Sequence, residues 1–168
     1  LKKIYKYLLK ILFHLIYGKV SLQKTKKHKN VRILKITKLK SKKSKKRNYF
    51  IYEIKNGRVY TDNLENVAII NGNQILKNIS FQQRNSFLKS TKYNSSLKEG
   101  TPAFQKKFKG KVLILCQGAS GNNNYSHWLL DILPKIRICE EMYNLKDIDY
   151  FYVQNKTSFQ IESFKKIG

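Results

Sequence analysis

Residues 111–117, KVLILCQ, restrict the fold more than any other segment. A short, nearly continuous apolar run fits a strand buried on both faces, as in a parallel sheet. The sequence after it runs GASGNNNYSHWLLDILPKIRICEEMY. Gly118, Gly121 and three consecutive Asn tolerate left-handed backbone angles and make a flexible loop. Ser126 is then placed as an N-cap, opening a helix to about Tyr143 in which Pro134 marks a kink or break. Trp128, Leu129, Ile132, Leu133, Ile136 and Met142 supply its buried side. IDYFYV at 148–153 reads as a second strand and SFQIESFKKIG as a second helix. Strand, loop, helix, strand, helix is the opening of a Rossmann-like parallel sheet, so the fold class is α/β.

In such sheets ligands sit outside the carboxyl ends of the strands, which directs attention to the loop at 117–126. Its amides and the helix N-terminus behind them favour an anion or a hydroxyl-rich ligand. His127 lies in the first helical turn and Asp131 four residues on, so the two side chains share one face. A His held by a carboxylate keeps one tautomer and can serve as a general base. The same spacing also suits a His that only bonds the loop and an Asp that only complements the helix end. The glycines match neither GxGxxG nor a Walker loop, which argues against a dinucleotide or nucleoside-triphosphate site here.

Upstream, YFIYEI at 49–54 is aromatic and β-branched, and Asn56-Gly57 follows it. RVYTD, ENVAII, a second turn at 71–73 and QILKNISFQ come next. Strands punctuated by Asn-Gly predict hairpins, here four or five short antiparallel strands over about 49–83. The polar stretch 85–108 reads as a connecting loop. Glu53, Asp62 and Glu65 are scattered acids that read as exposed.

The first third is set apart by charge. The chain carries 35 Lys and Arg against 10 acids, a net of +25, and residues 1–52 hold 18 of those bases and no acid. Such a field favours anionic lipid, nucleic acid or other polyanions. Residues 1–17 place Ile4, Leu8, Ile11, Leu12, Leu15 and Ile16 at helical spacing, with Lys2, Lys3, Lys6 and Lys10 mainly opposite. Lys10 and His14 break the apolar run, which falls short of the ~20 residues that span a bilayer. A basic helix with bulky apolar residues on one side is suited to the membrane interface. The other reading is a helix packed on the protein's own core. The run from Lys19 to Arg47 fits a solvated linker, a lipid-headgroup patch or a nucleic-acid arm. No aromatic residue interleaves 38–47, so bases have no stacking platform and lipid is favoured over nucleic acid. Cys116 and Cys139, each in apolar company, make neither a disulfide framework nor a zinc site and read as buried free thiols, which suits a reducing cytoplasm.

Three regions follow: a basic amphipathic helix and linker (1–48), a β-rich module with its connecting loop (49–108), and an incomplete Rossmann-like domain (109–168). The start at Leu1 and the end at Gly168 read as those of a piece of a longer protein.

GNNNYSHWLLDILPKI at 121–136 resembles glycosyltransferase family 61, a group often labelled capsular polysaccharide biosynthesis proteins. Asn124, His127, Trp128, Leu129, Asp131, Leu133 and Pro134 match the pattern, while Lys135 stands where Arg is common. RVYTDNLENVAIING and the ISFQ segment are similar to the β-rich lead-in, so the likeness covers roughly 55–168. The resemblance implies an inverting transferase of GT-B architecture that uses a nucleotide-activated sugar and needs no bound metal or other cofactor. It assigns His127 as base or oxyanion contact and Asp131 as its orienter. Asn122, Asn123, Asn124 and Ser126 become candidate contacts to sugar hydroxyls. It places the donor site in a further half absent from this sequence. The basic helix and lysine run predict a cytoplasmic protein, peripheral on the inner face of the cell membrane and held through residues 1–47. A membrane-tethered glycan-binding or scaffold remnant is the competing reading.

Overall fold

The structure, a computed structural model, describes residues 2–23, 30–38, 47–62, 66–84, 87–89, 91–116, 124–153 and 156–167. The first half runs from helix α1 (Lys2–Tyr17) through strands β1 (Ser21–Leu22), β2 (Val31–Lys38), β3 (Arg47–Ile54), β4 (Arg58–Thr61) and β5 (Asn66–Asn71). Strands β6 (Gln74–Ile75), β7 (Phe81–Arg84) and β8 (Phe87–Lys89) follow, then a 3-10 turn (Thr91–Tyr93) and the short helix α2 (Ser96–Glu99). The second half holds strand β9 (Val112–Ile114), helix α3 (Tyr125–His127), a π turn (Trp128–Ile132) and helix α4 (Leu133–Glu140). A 3-10 turn (Leu145–Asp147), strand β10 (Tyr150–Tyr152) and helix α5 (Ser158–Ile167) complete it.

Strand β5 organises the first half. Val67 pairs with both Thr61 and Phe81, and Ile70 with both Arg58 and Ile75. A residue has one neighbour on each side, so β4 lines one edge of β5 while β6 and β7 share the other. The turn at Asn71–Gly72–Asn73 joins β5 to β6 as a hairpin, in keeping with its sequence. All of Asn66 to Ile70 is buried. Alternation splits them: Ala68 and Ile70 pack with Val20 and Ile75, while Val67 and Ile69 pack with Leu76 and Cys116 on the other face.

Strands β9 and β10 pair in parallel, with helix α4 between them in sequence and α5 after, as the apolar runs predicted. The same alternation acts on β9. Leu113 and Leu115 point to a cluster with Trp128, Ile132 and Ile136, whereas Ile114 and Cys116 meet the β5 sheet. The β–α–β unit therefore rests on the β5 sheet with one face and under its own helices with the other.

Several expectations are corrected. Asn56-Gly57 does not join paired strands: β3 pairs antiparallel with β2, and β4 with β5. The 19–47 segment is not simply a linker, since it contains β1 and β2, and β2 and β3 pair across residue 48. The presumed loop at 85–108 carries β8, a 3-10 turn and α2. Leu129 (39% exposed) and Met142 (46% exposed) lie outward, and the helix ends at Glu140. Glu53 is not merely exposed: its carboxylate accepts from Arg32 and from the Tyr143 hydroxyl. Both thiols are buried and free.

Helix α1 is mounted by one side only. Phe13 is buried and stacks on Tyr17, and Gly18 at φ +80° closes the helix by donating its N–H to the His14 carbonyl. Ile4, Leu8, Ile11, Leu12, Leu15 and Ile16 stay exposed, so they do not pack on the protein's own core. Among the described residues no helix is long and apolar enough to cross a membrane.

Candidate functional site

The site sits at the start of the helical run that follows β9. Asn124, not Ser126, is the N-cap: its backbone is extended and its side-chain oxygen accepts from the His127 N–H at 3.1 Å. Ser126 lies inside the first turn and is exposed. The cap explains why Asn occupies 124, and its side-chain oxygen is engaged in holding the helix. Asn122 and Asn123 lie outside the described residues.

The cap fixes the turn that carries His127. From there the imidazole Nδ1 reaches the Asp131 carboxylate at 2.6 Å, one of the two readings that the four-residue spacing allowed. A carboxylate only accepts, so in the neutral imidazole this bond puts the proton on Nδ1 and leaves Nε2 a lone pair. About a third of each side chain is exposed (37% and 33%), so a ligand can reach the pair.

Sequence reasoning passed over Lys135 as a functional group. Its ammonium lies 3.4 Å from the Cys116 carbonyl, at the carboxyl end of β9. Burial pushes its pKa down, and the neighbouring Cys116 and Asp131 partly offset this. In a regular helix Lys135 would drift about 80° from His127, eight residues away. The π turn over Trp128–Ile132 closes on the fifth residue, as the Leu133 N–H to Trp128 carbonyl bond shows, and so unwinds that drift. Pro134 makes the wide turn natural, because it has no N–H to donate and its ring crowds the carbonyl four residues back. The available signal was the basic residue four places beyond Asp131; the π turn that makes the spacing count is invisible in hydropathy.

Trp128 is a structural residue. It is buried, its Nε1–H donates to Ser163 Oγ at 3.0 Å, and its ring meets Phe159 and Phe164. It thereby ties the site helix to α5. A cavity of about 1130 Å³ opens elsewhere, lined by residues such as Arg137, Tyr143, Asp149, Tyr150, Gln160 and Phe164. Neither His127 nor Asp131 lines it. Among the described residues no three His, Cys, Asp or Glu side chains are grouped to hold a metal ion. No family model matches the chain, and no curated protein or solved structure matches it.

Proposed function

We propose that this chain is the acceptor-side part of a glycosyltransferase, with His127 as general base. The observation that carries the reading is the 2.6 Å bond from His127 Nδ1 to Asp131, made at a helix start beyond the carboxyl end of a parallel strand. A Rossmann-like, GT-B-type domain extending from the β9–β10 pair, and a role in cell-surface polysaccharide assembly, belong to the same proposal.

The step it describes is an inverting displacement. Nε2 of His127 takes the proton of an acceptor hydroxyl as that oxygen bonds to the anomeric carbon of a nucleotide-activated sugar. The bond from that carbon to the donor phosphate breaks, and the nucleotide leaves with the electron pair. Asp131 holds the imidazole in place and stabilises the imidazolium that forms. Lys135 supplies a cation near the carboxylate, held at the Cys116 carbonyl. Asn122, Asn123 and Ser126 remain proposed acceptor contacts, while Asn124 contributes by capping.

Purified protein, as its gene encodes it, is incubated with a panel of nucleotide sugars and acceptor oligosaccharides, and products are read by mass spectrometry. Transfer by the wild type, with a loss of about a hundredfold or more in His127→Ala, is the expected result. Transfer at an undiminished rate in that variant removes His127 as base. Acceptor binding without transfer, in both proteins and with every donor, replaces the enzyme by a glycan-binding module.

A further inference from the structure

Helix α1 turns its apolar side directly away from its mount. Phe13 faces the body, and Ile4 (63% exposed), Leu8 (58%), Ile11 (40%) and Leu15 (80%) lie on the opposite side of the helix at three- and four-residue spacing. The sequence also holds a second element of the same chemistry, in a stretch read as a plain connection. Residues 103–110, AFQKKFKG, are exposed throughout and alternate Phe104 and Phe108 with Lys106, Lys107 and Lys109.

This loop is fastened to α1 at two points, and the chain just before it passes close to a third. The Phe104 ring meets the Phe13 ring edge-on with centroids 5.1 Å apart, yet Phe104 stays 77% exposed. The Gln105 N–H donates to the Tyr17 hydroxyl at 3.1 Å. Gly100, at φ +75°, lets the chain pass against the His14 ring, where a Cβ would come within 2.8 Å of Nε2. Phe104 therefore lies within about one helix diameter, ~10 Å, of the outward side of α1. That distance is comparable to the depth of a bilayer's headgroup layer.

We propose that α1 and the 103–110 loop form one composite docking surface for an anionic lipid bilayer. Ile4, Leu8, Ile11 and Leu15 enter the acyl boundary. Phe104 and Phe108 settle in the headgroup layer, with Lys106, Lys107 and Lys109 against lipid phosphates. Charge complementarity selects this occupant: the first 52 residues contain no acid, and the loop adds three lysines and none. A second copy of the chain brings the same positive charge and is repelled. Nucleic acid answers the charge but has no use for the aliphatic row. The inference does not rest on the transferase reading.

Sedimentation with vesicles of phosphatidylcholine alone, and with about a third phosphatidylglycerol, tests it at low and high salt. The expected result is binding to the anionic vesicles that weakens with salt. Leu8→Ser with Leu15→Ser, and separately Phe104→Ser with Phe108→Ser, each reduce partitioning at least about tenfold. All four positions are exposed, so these variants keep the native emission of the buried Trp128, the only Trp in the chain. Phe104→Trp supplies an independent readout, its emission shifting to the blue and being quenched by lipids with brominated chains. Loss of binding in the helix variant with none in the loop variant, and no response of Phe104→Trp, overturns the composite surface. Absence of binding to anionic vesicles at low salt overturns it as well. So does self-association removed by the helix variant, or RNA that displaces the protein from vesicles at equal charge.

Discussion

Cys116 shows how one side chain can be silent in spite of its chemistry. Its thiol is 4% exposed, and burial pushes its pKa up to about 12, with Lys135 only partly opposing. Since the thiolate is the nucleophile, native protein at pH 8 should resist iodoacetamide at both Cys116 and Cys139 and should react fully once unfolded. Mass spectrometry of labelled protein checks this, and rapid native labelling of Cys116 contradicts it. Tyr143 carries the opposite lesson, since its partner Glu53 lies 90 residues away. Burial, then the hydrogen bond to Glu53, raises its pKa to about 12. A raised phenol pKa adds stability that is whole below about pH 10, the unfolded value, and is lost as pH climbs towards 12. Tyr143→Phe should therefore cost about 1 kcal/mol at pH 8, and the gap to wild type should close between pH 10 and 12 in urea titrations. That His127 and Asp131 share a helix face was legible from four-residue spacing; that they bond each other was one of two readings the spacing allowed. The Glu53–Tyr143 contact was not legible, because no local pattern links residues that only the tertiary fold brings together.

At the scale of elements, apolar period decided what could be read. The β9–β10 strands and their helices, α1, and the β5–β6 hairpin were legible because each carries its own signal in a short window. The β2–β3 pairing was missed because Asn56-Gly57 is a local turn cue, whereas pairing is settled by which strands share a core. The stretch 85–108 was read as loop because it is polar, but its polarity serves β5. Asn94 is 2% exposed; its amide donates to the carbonyls of Val67 and Phe81 and its oxygen accepts from the Ser96 N–H. Asn66, fully buried, adds bonds to Ser96 Oγ and the Ser95 N–H. Asn94 thus serves carbonyls of β5 and β7, while Asn66 ties β5 to the start of α2. Asn94→Leu removes a donor from two buried carbonyls at once, so a loss of about 2–3 kcal/mol is expected. That corresponds to a fall of roughly 4–12 °C in melting temperature, measurable by calorimetry. A change below about 1 °C shows that water replaces the amide.

For the molecule as a whole, the decisive feature is that β5 and β9 share one apolar layer. Val67, Ile69 and Leu76 from the sheet meet Cys116, Ile114 and Tyr152 from the β–α–β unit, with Val31 and Ile54 of the β2–β3 pair against the same cluster. Melting one half exposes the apolar face that the other presents to this layer. Folding is then cooperative across the described chain, and the site helix inherits its rigidity from a sheet that contributes none of its chemistry. Trp128 fluorescence reports the β–α–β unit, and hydrogen exchange at the Ile69 and Ile70 amides reports β5. Both should return one unfolding free energy and one midpoint in denaturant. Ile69→Ala, which hollows the shared layer, should lower both by the same 2–4 kcal/mol or so, although the residue is remote in sequence from Trp128. If Trp128 unfolds with an unchanged midpoint while the β5 amides open early, the halves are separate folding units. The His127–Asp131 pair then depends on its own helices alone.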